Sequence, residues 1–201
     1  MSALRDGRAG NRALPAKKSG GNPMESKMAD IKRPDLDKLR IFQYPESVLR
    51  KPAVVLPDVD SFVSEASHRM GELMVAHGGI GLAAPQVGWS CRLVVINPTM
   101  EENKGIVLVN PVIVERRGRV VEEEGCLSVP EIRAKVSRAE YVKVRARLLN
   151  GEDIEMEGEG LLARLLQHEL DHLDGRLFVD RVGAVTRPII ERRLKKLGKK
   201  R

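Results

Sequence analysis

The chain has 201 residues, 42% of them hydrophobic, with two cysteines, three Phe, two Tyr and one Trp. That length suits one domain with a self-sufficient core, and the composition excludes a disordered chain, a membrane span of about 18 apolar residues and a disulfide framework. The net charge of +7 sits at the ends: residues 1–40 carry +5, residues 187–201 carry +7, and the body between them carries −5. A basic nucleic-acid face built into the body is therefore disfavoured, and the scarcity of aromatics argues against a base-stacking platform.

Residues 1–34 read as a disordered extension, rich in Gly, Ser, Lys, Arg and Asn without apolar periodicity. Met24 and Met28 offer internal starts, and the absence of an apolar h-region argues against a secretory signal. Cysteine usage suits a reducing compartment such as the cytoplasm, with an organelle as the alternative if the Arg-rich leader is a transit peptide.

Order is expected from about Leu39. Asp58 or Asp60 caps a helix carrying Phe62, Val63, Ala66, Met70, Leu73 and Met74 at helical spacing, ended by Gly78-Gly79. The Gly-rich stretch from Gly79 to Gln86 shows little helix or strand character. Arg92 to Ile96 is a short strand, and Ile106 to Val114 a second, broken at Asn110-Pro111. Tyr141 to Leu149 alternates and meets Asn150-Gly151, a strong hairpin signal, so Asp153 to Glu157 is the return strand. Gly160 to Leu173 is a helix closed by Gly175, and Arg187 to Lys200 is a basic helix. The expected class is α+β: largely antiparallel sheet around a central helix, with a C-terminal helix. The expected organisation is a catalytic unit over 35–186 and a basic tail over 187–201.

The chemistry centres on His168-Glu169-Leu170-Asp171-His172. Histidines four apart on a helix share one face and hold one transition metal, with Glu169 placed as general base. Leu162, Leu166, Leu170 and Leu173 form one stripe for the core, and Leu161, Leu165, His168 and His172 a neighbouring stripe for the site. A third ligand is needed, and no His follows His172. Cys126, in Glu124-Gly125-Cys126-Leu127-Ser128, is the upstream candidate, giving a thiolate with two imidazoles and one open position. Cys91 has no neighbouring ligand pattern and reads as structural. Gln86 is placed to offer its amide to an oxyanion, with the Leu127 backbone N–H as a second donor. Gly79 and Gly81 let backbone approach a ligand closely.

Taken together, Gly79 to Gln86, Glu124 to Ser128 and Gln167 to His172 resemble the peptide deformylase family, whose three motifs stand here in order and without substitution. The resemblance covers about residues 39–185. It implies a metal-dependent hydrolase that removes the formyl group from N-formylmethionine at the start of new polypeptides and releases formate. It implies Cys126, His168 and His172 as ligands of one divalent metal, natively Fe²⁺, with Zn²⁺, Ni²⁺ or Co²⁺ as other occupants. It implies Glu169 as general acid/base and Gln86 with Leu127 as oxyanion donors. Ile80, Leu161 and Leu165 fall where the family lines its methionine pocket, Gly79, Gly81 and Gly125 at the substrate cleft, and Arg133 near the peptide beyond the methionine. Arg164 stands where an apolar pocket residue is expected.

Two other classes compete. A zinc endopeptidase of the His-Glu-x-x-His type lacks its downstream ligand here, and a degenerate docking protein would not retain the full Cys126, His168, His172 and Glu169 set. The partners expected are an N-formylmethionyl peptide and the ribosome, met by the basic C-terminal helix. No membrane and no sequence-specific nucleic acid is expected.

Overall fold

A computed structural model describes residues 31–101 and 105–199. The leader read over 1–34 lies outside the described residues up to position 30. Of the remainder, Ile31 packs on the core and Arg33 pairs with Asp60.

Helix α1, Ser61–Ala76, begins where the Asp60 carboxylate accepts from the Val63 N–H at 3.0 Å, as expected of an N-cap. Strands β1 (Gly81–Ala83), β2 (Leu93–Ile96) and β3 (Ile106–Arg117) follow, then β4 (Val120–Cys126), β5 (Val129–Arg138), β6 (Tyr141–Arg147) and β7 (Asp153–Glu159). Helix α2 spans Gly160–Leu173 and helix α3 Arg187–Lys199. All strand pairs are antiparallel. One sheet has the order β1-β2-β3-β6-β7, and β4 pairs with β5 as a separate ribbon. The α+β expectation holds.

The β1–β2 end of the larger sheet is buried between the two long helices, while β6 and β7 cover one face with α2 and expose the other. Along β2 the side chains alternate: Leu93 and Val95 join the core under α1 with Val63, Ala66, Met70 and Met74. Val94 and Ile96 join the core under α2 with Ala163, Leu166, Leu170 and Leu173. Period-2 strand geometry thus feeds two cores from one four-residue strand. A third core joins β5, through Ile132, Ala134 and Val136, to Phe178 and to Ile190, Leu194 and Leu197 of α3. The apolar side of the basic helix is therefore packed, and its basic side chains remain on the outer face.

Several expectations change. Gly79 to Gln86 does carry regular structure: β1, then a 3-10 turn at Ala84–Val87 with Pro85 at its start. β3 is not broken at Asn110-Pro111. It runs through with a register shift between Val109 and Val112, and Asn110, at φ +52, uses its side-chain amide to bind both the N–H and the C=O of Leu56 at 2.8 Å. This is a bulge that re-aims the strand. The β4–β5 ribbon goes unread in the sequence because β4 is mostly exposed and acidic, with no alternating apolar face. The Asn150-Gly151 hairpin forms as expected, with Arg147 opposite Asp153. No helix among the described residues is long and apolar enough to cross a membrane.

Candidate active site

Three elements deliver the site. β1 and the 3-10 turn after it bring Gly81 and Gln86. The end of β4 brings Cys126 at a second register shift, between Glu124 and Cys126. α2 brings His168, Glu169 and His172 on one face.

Cys126, His168 and His172 offer one ligand atom each, all within 4.8 Å of one another. Cys126 Sγ lies 3.2 Å from His172 Nε2, and the two imidazoles stand 5.1 Å apart, edge to face. Both cysteines are free, and Cys91 is wholly buried, with burial pushing its thiol far up, as a structural residue would be. The Cys126 sulfur also accepts from the Ser128 N–H at 3.4 Å.

His168 is oriented from behind. Its Nδ1 donates to Glu124 Oε2 at 3.0 Å, which directs Nε2 at the cluster. Glu124 is held in turn by a bidentate pair from Arg138 at 2.8 and 2.9 Å. Arg138 also donates to Asp171, the residue before His172 on α2, and Asp171 is gripped by Arg181 as well. Burial opposes ionisation of Glu124, but the Arg138 guanidinium and His168 overcome it and hold the carboxyl down at about 2. Ligand-orienting partners of this kind fix tautomer and ring direction. Sequence reading missed this network, because Arg138 and Asp171 carry no spacing that marks them as a pair.

Glu169 is 3% exposed, and its Oε2 has no hydrogen-bond partner. Burial raises its carboxyl to about 7, with the Glu124 charge adding to the rise and His168 opposing it. A carboxyl poised there can both take and give a proton near neutral pH. Gln86 is equally buried and has one orientation. Its Oε1 accepts from the Ala83 N–H at 2.8 Å, so Nε2 faces the site, 3.1 Å from Ser128 Oγ and 3.6 Å from Cys126 Sγ.

These residues open on a cleft of about 750 Å³. Of the residues expected from the sequence, Gly79, Ile80, Gly81, Gln86, Gly125, Cys126, Leu127, Arg133, Leu161, Leu165, His168 and Glu169 line it, and His172 lies behind Cys126. Leu165 is buried, while Leu161 is half-exposed at the mouth. Arg164 lines the wall, and Arg193, reaching in from α3, is a contributor the sequence did not signal.

The donor set fits a divalent metal. A thiolate and two imidazoles form a three-ligand site with an open side, and Glu169, whose buried Oε2 has no partner, lines the same cleft as Cys126 and His168. Fold and site together define a metal-dependent hydrolase built on a His-Glu-x-x-His helix. The family model described as polypeptide deformylase matches residues 38–188. The peptide deformylase of Acidobacterium capsulatum is 50% identical over 159 residues, 78% of this chain and 94% of that protein. That of Tolumonas auensis is 45% identical over 161 residues, 80% of this chain and 96% of that protein. A crystal structure of the Legionella pneumophila deformylase superposes with a TM-score of 0.75 at 42% identity, covering 80% of this chain and 95% of that one. The Synechococcus elongatus deformylase, in complex with actinonin, gives 0.75 at 39% identity, over 80% and 88% of the two chains. The chain belongs to the peptide deformylase family, metal-dependent hydrolases that remove N-formyl groups from nascent peptides.

Proposed function

We propose that this chain hydrolyses the formyl amide of N-formylmethionyl polypeptides through Glu169, Gln86 and Leu127, with Cys126, His168 and His172 as the metal ligands. The observation that carries this is a thiol and two imidazoles gathered within 4.8 Å of one another at a cleft that Glu169, with its buried, unpartnered oxygen, also lines. When bound, a divalent metal supplies the Lewis acidity that makes water nucleophilic near neutral pH. Glu169 takes the proton from the attacking water. The oxyanion developing on the formyl carbon is stabilised by the Gln86 amide and the Leu127 N–H; each strong donor of this type is worth about 3–4 kcal/mol. Glu169 then gives its proton to the leaving amine, so that amide and water become formate and a free N-terminus. Ile80 and Leu165, with Leu161 at the mouth, hold the methionine side chain, and that orientation contributes part of the rate. Gly79, Gly81 and Gly125 leave room for the peptide, and Arg133 meets it past the methionine.

The test is formate release from a formyl-Met tripeptide by wild type and Glu169→Gln, both purified without oxygen with metal content measured. Wild-type turnover, with an inactive variant that still holds about one metal per chain, is expected. A variant that keeps turnover overturns the role of Glu169.

Fe²⁺ is the native metal in this reading, with Zn²⁺, Ni²⁺ and Co²⁺ as alternative occupants, and the cytoplasm is its place of action. The ribosome is a partner of α3, whose outer face carries Arg192, Lys195 and Lys196 while its inner face is committed to the core. Because truncation would strip Ile190, Leu194 and Leu197 from that core, the sound test is charge reversal. Lys195→Glu with Lys196→Glu is expected to weaken ribosome pelleting in a salt-dependent manner, and unchanged pelleting overturns this reading.

A further inference from the structure

A second cavity of about 640 Å³ lies behind the metal centre and shares no lining residue with the substrate cleft. The two are separated by the buried Glu124–Arg138 pair, Glu124 facing the cleft and Arg138 facing the second cavity. Six arginines line this cavity: Arg92, Arg116, Arg119, Arg138, Arg176 and Arg181. Among the described residues that line it, the carboxylates are Asp171 and Asp174.

Three of the guanidinium groups are neutralised within the protein. Arg138 is paired with Glu124 and Asp171, Arg181 with Asp171, and Arg92 with Asp174 at 3.0 Å. The other three have no carboxylate partner among the described residues. Arg119 donates to the Ser137 hydroxyl at 2.8 Å, while Arg116 and Arg176 have no side-chain partner among the described residues. Arg116 and Arg119 flank Gly118, whose φ of +68° makes the tight β3–β4 turn that sets both beside the cavity. Arg176 comes from the segment after α2.

The body of this chain is net acidic, yet Arg116, Arg119 and Arg176, none in an ion pair among the described residues, converge on one concavity, with the Glu140 carboxylate beside Gly118 as a partial offset. Like charges gathered in a concave surface repel, and the field they focus attracts a counter-ion of matching valence. Guanidinium forks pair bidentately with phosphate oxygens, and a singly charged carboxylate would leave most of this charge unmet. We propose that the arginine-lined cavity is a binding site for a phosphate-class polyanion, separate from the substrate cleft. The phosphates come either from a small free polyphosphate or from an RNA backbone, which present the same oxygens.

The test is calorimetric titration of the full-length, metal-loaded protein with inorganic tripolyphosphate at low ionic strength. Saturable binding is expected, weakened at least about tenfold in the Arg116→Gln/Arg176→Gln double variant. Turnover of a formyl-Met tripeptide is expected to stay at the wild-type level in that variant. Lys195→Gln with Lys196→Gln removes the same charge from α3 and is expected to leave tripolyphosphate binding unchanged. No saturable binding by wild type, or equal weakening in both variants, overturns the proposal. If the double variant does not fold, Arg119→Gln alone is expected to weaken binding severalfold, and wild-type affinity in it counts equally against the site. A short single-stranded RNA that displaces tripolyphosphate makes the RNA backbone the source, and one that does not makes it a free polyphosphate; both results uphold the site.

Discussion

Gly81 and Glu169 stand so close that a Cβ on residue 81 would lie 2.5 Å from Glu169 Oε1 and 2.6 Å from Leu165 Cδ1. The glycine is the space the carboxylate occupies. Both atoms in the way belong to the site, one to the proposed acid/base and one to the methionine pocket. Gly81→Ala is therefore expected to push Glu169 out of place and lower kcat/KM by about 100-fold, the usual cost of misplacing a catalytic group by an ångström. Metal content should be unchanged, because Cys126, His168 and His172 are not displaced. Formate release alongside metal analysis checks this, and a fully active variant would show that Glu169 tolerates the shift.

The pair behind His168 separates metal affinity from stability. Glu124→Gln keeps an acceptor for the His168 Nδ1–H but removes the charge. Metal affinity should fall about 10- to 100-fold, read by competition with a chelator. Arg138→Met leaves Glu124 and Asp171 buried without that guanidinium, so it should cost about 3–5 kcal/mol in urea denaturation. A loss below about 1 kcal/mol in Arg138→Met would mean that water replaces the guanidinium.

Removing the metal should lower the melting temperature. The folded chain gathers a thiol and two imidazoles within 4.8 Å, an arrangement absent when it is unfolded, so metal bound to the folded state stabilises it by mass action. Scanning calorimetry before and after chelation, with metal added back, measures the shift and its reversal. The iron form should also lose activity in air, through oxidation of the iron or of Cys126, while a zinc form with no redox chemistry of its own loses less. Equal decay of both forms would point to damage elsewhere.

Arg164 and Arg193 line the cleft without a carboxylate partner among the described residues, whereas Arg133 lies 3.6 Å from Glu123. A formyl-Met peptide with Asp or Glu after the methionine should therefore be favoured over its lysine counterpart. Arg193→Ala should remove about three- to fivefold of that preference, the scale of a solvent-exposed ion pair, and leave a neutral peptide unaffected. Paired kcat/KM measurements on acidic, basic and neutral tripeptides decide it.

How much of this was legible beforehand depends on whether the chemistry is local. His168, Glu169 and His172 declare themselves because four-residue spacing on a helix is a geometric statement in its own right. Asp60, Asn150-Gly151 and the stripe from Leu162 to Leu173 are likewise read from neighbours along the chain. β4 and β5 were not, since their pairing buries mainly one ribbon face against Phe178 and α3, a surface assembled from distant segments. The same holds for β3, which stays continuous across Asn110-Pro111 only because Asn110 finds the Leu56 backbone 54 residues away.

By itself the sequence determined the α+β class, the two central helices, the set of candidate ligands and the family. Each follows from periodicity, capping or a contiguous motif. Tertiary structure alone decided that Arg138 ties Glu124 to Asp171, that Gly81 is the room Glu169 needs, that α3 lends Arg193 to the cleft, and that three arginines with no carboxylate partner among the described residues meet in the second cavity. Those relationships join residues tens of positions apart, and their energies arise from burial and from charges brought together, which no local pattern records.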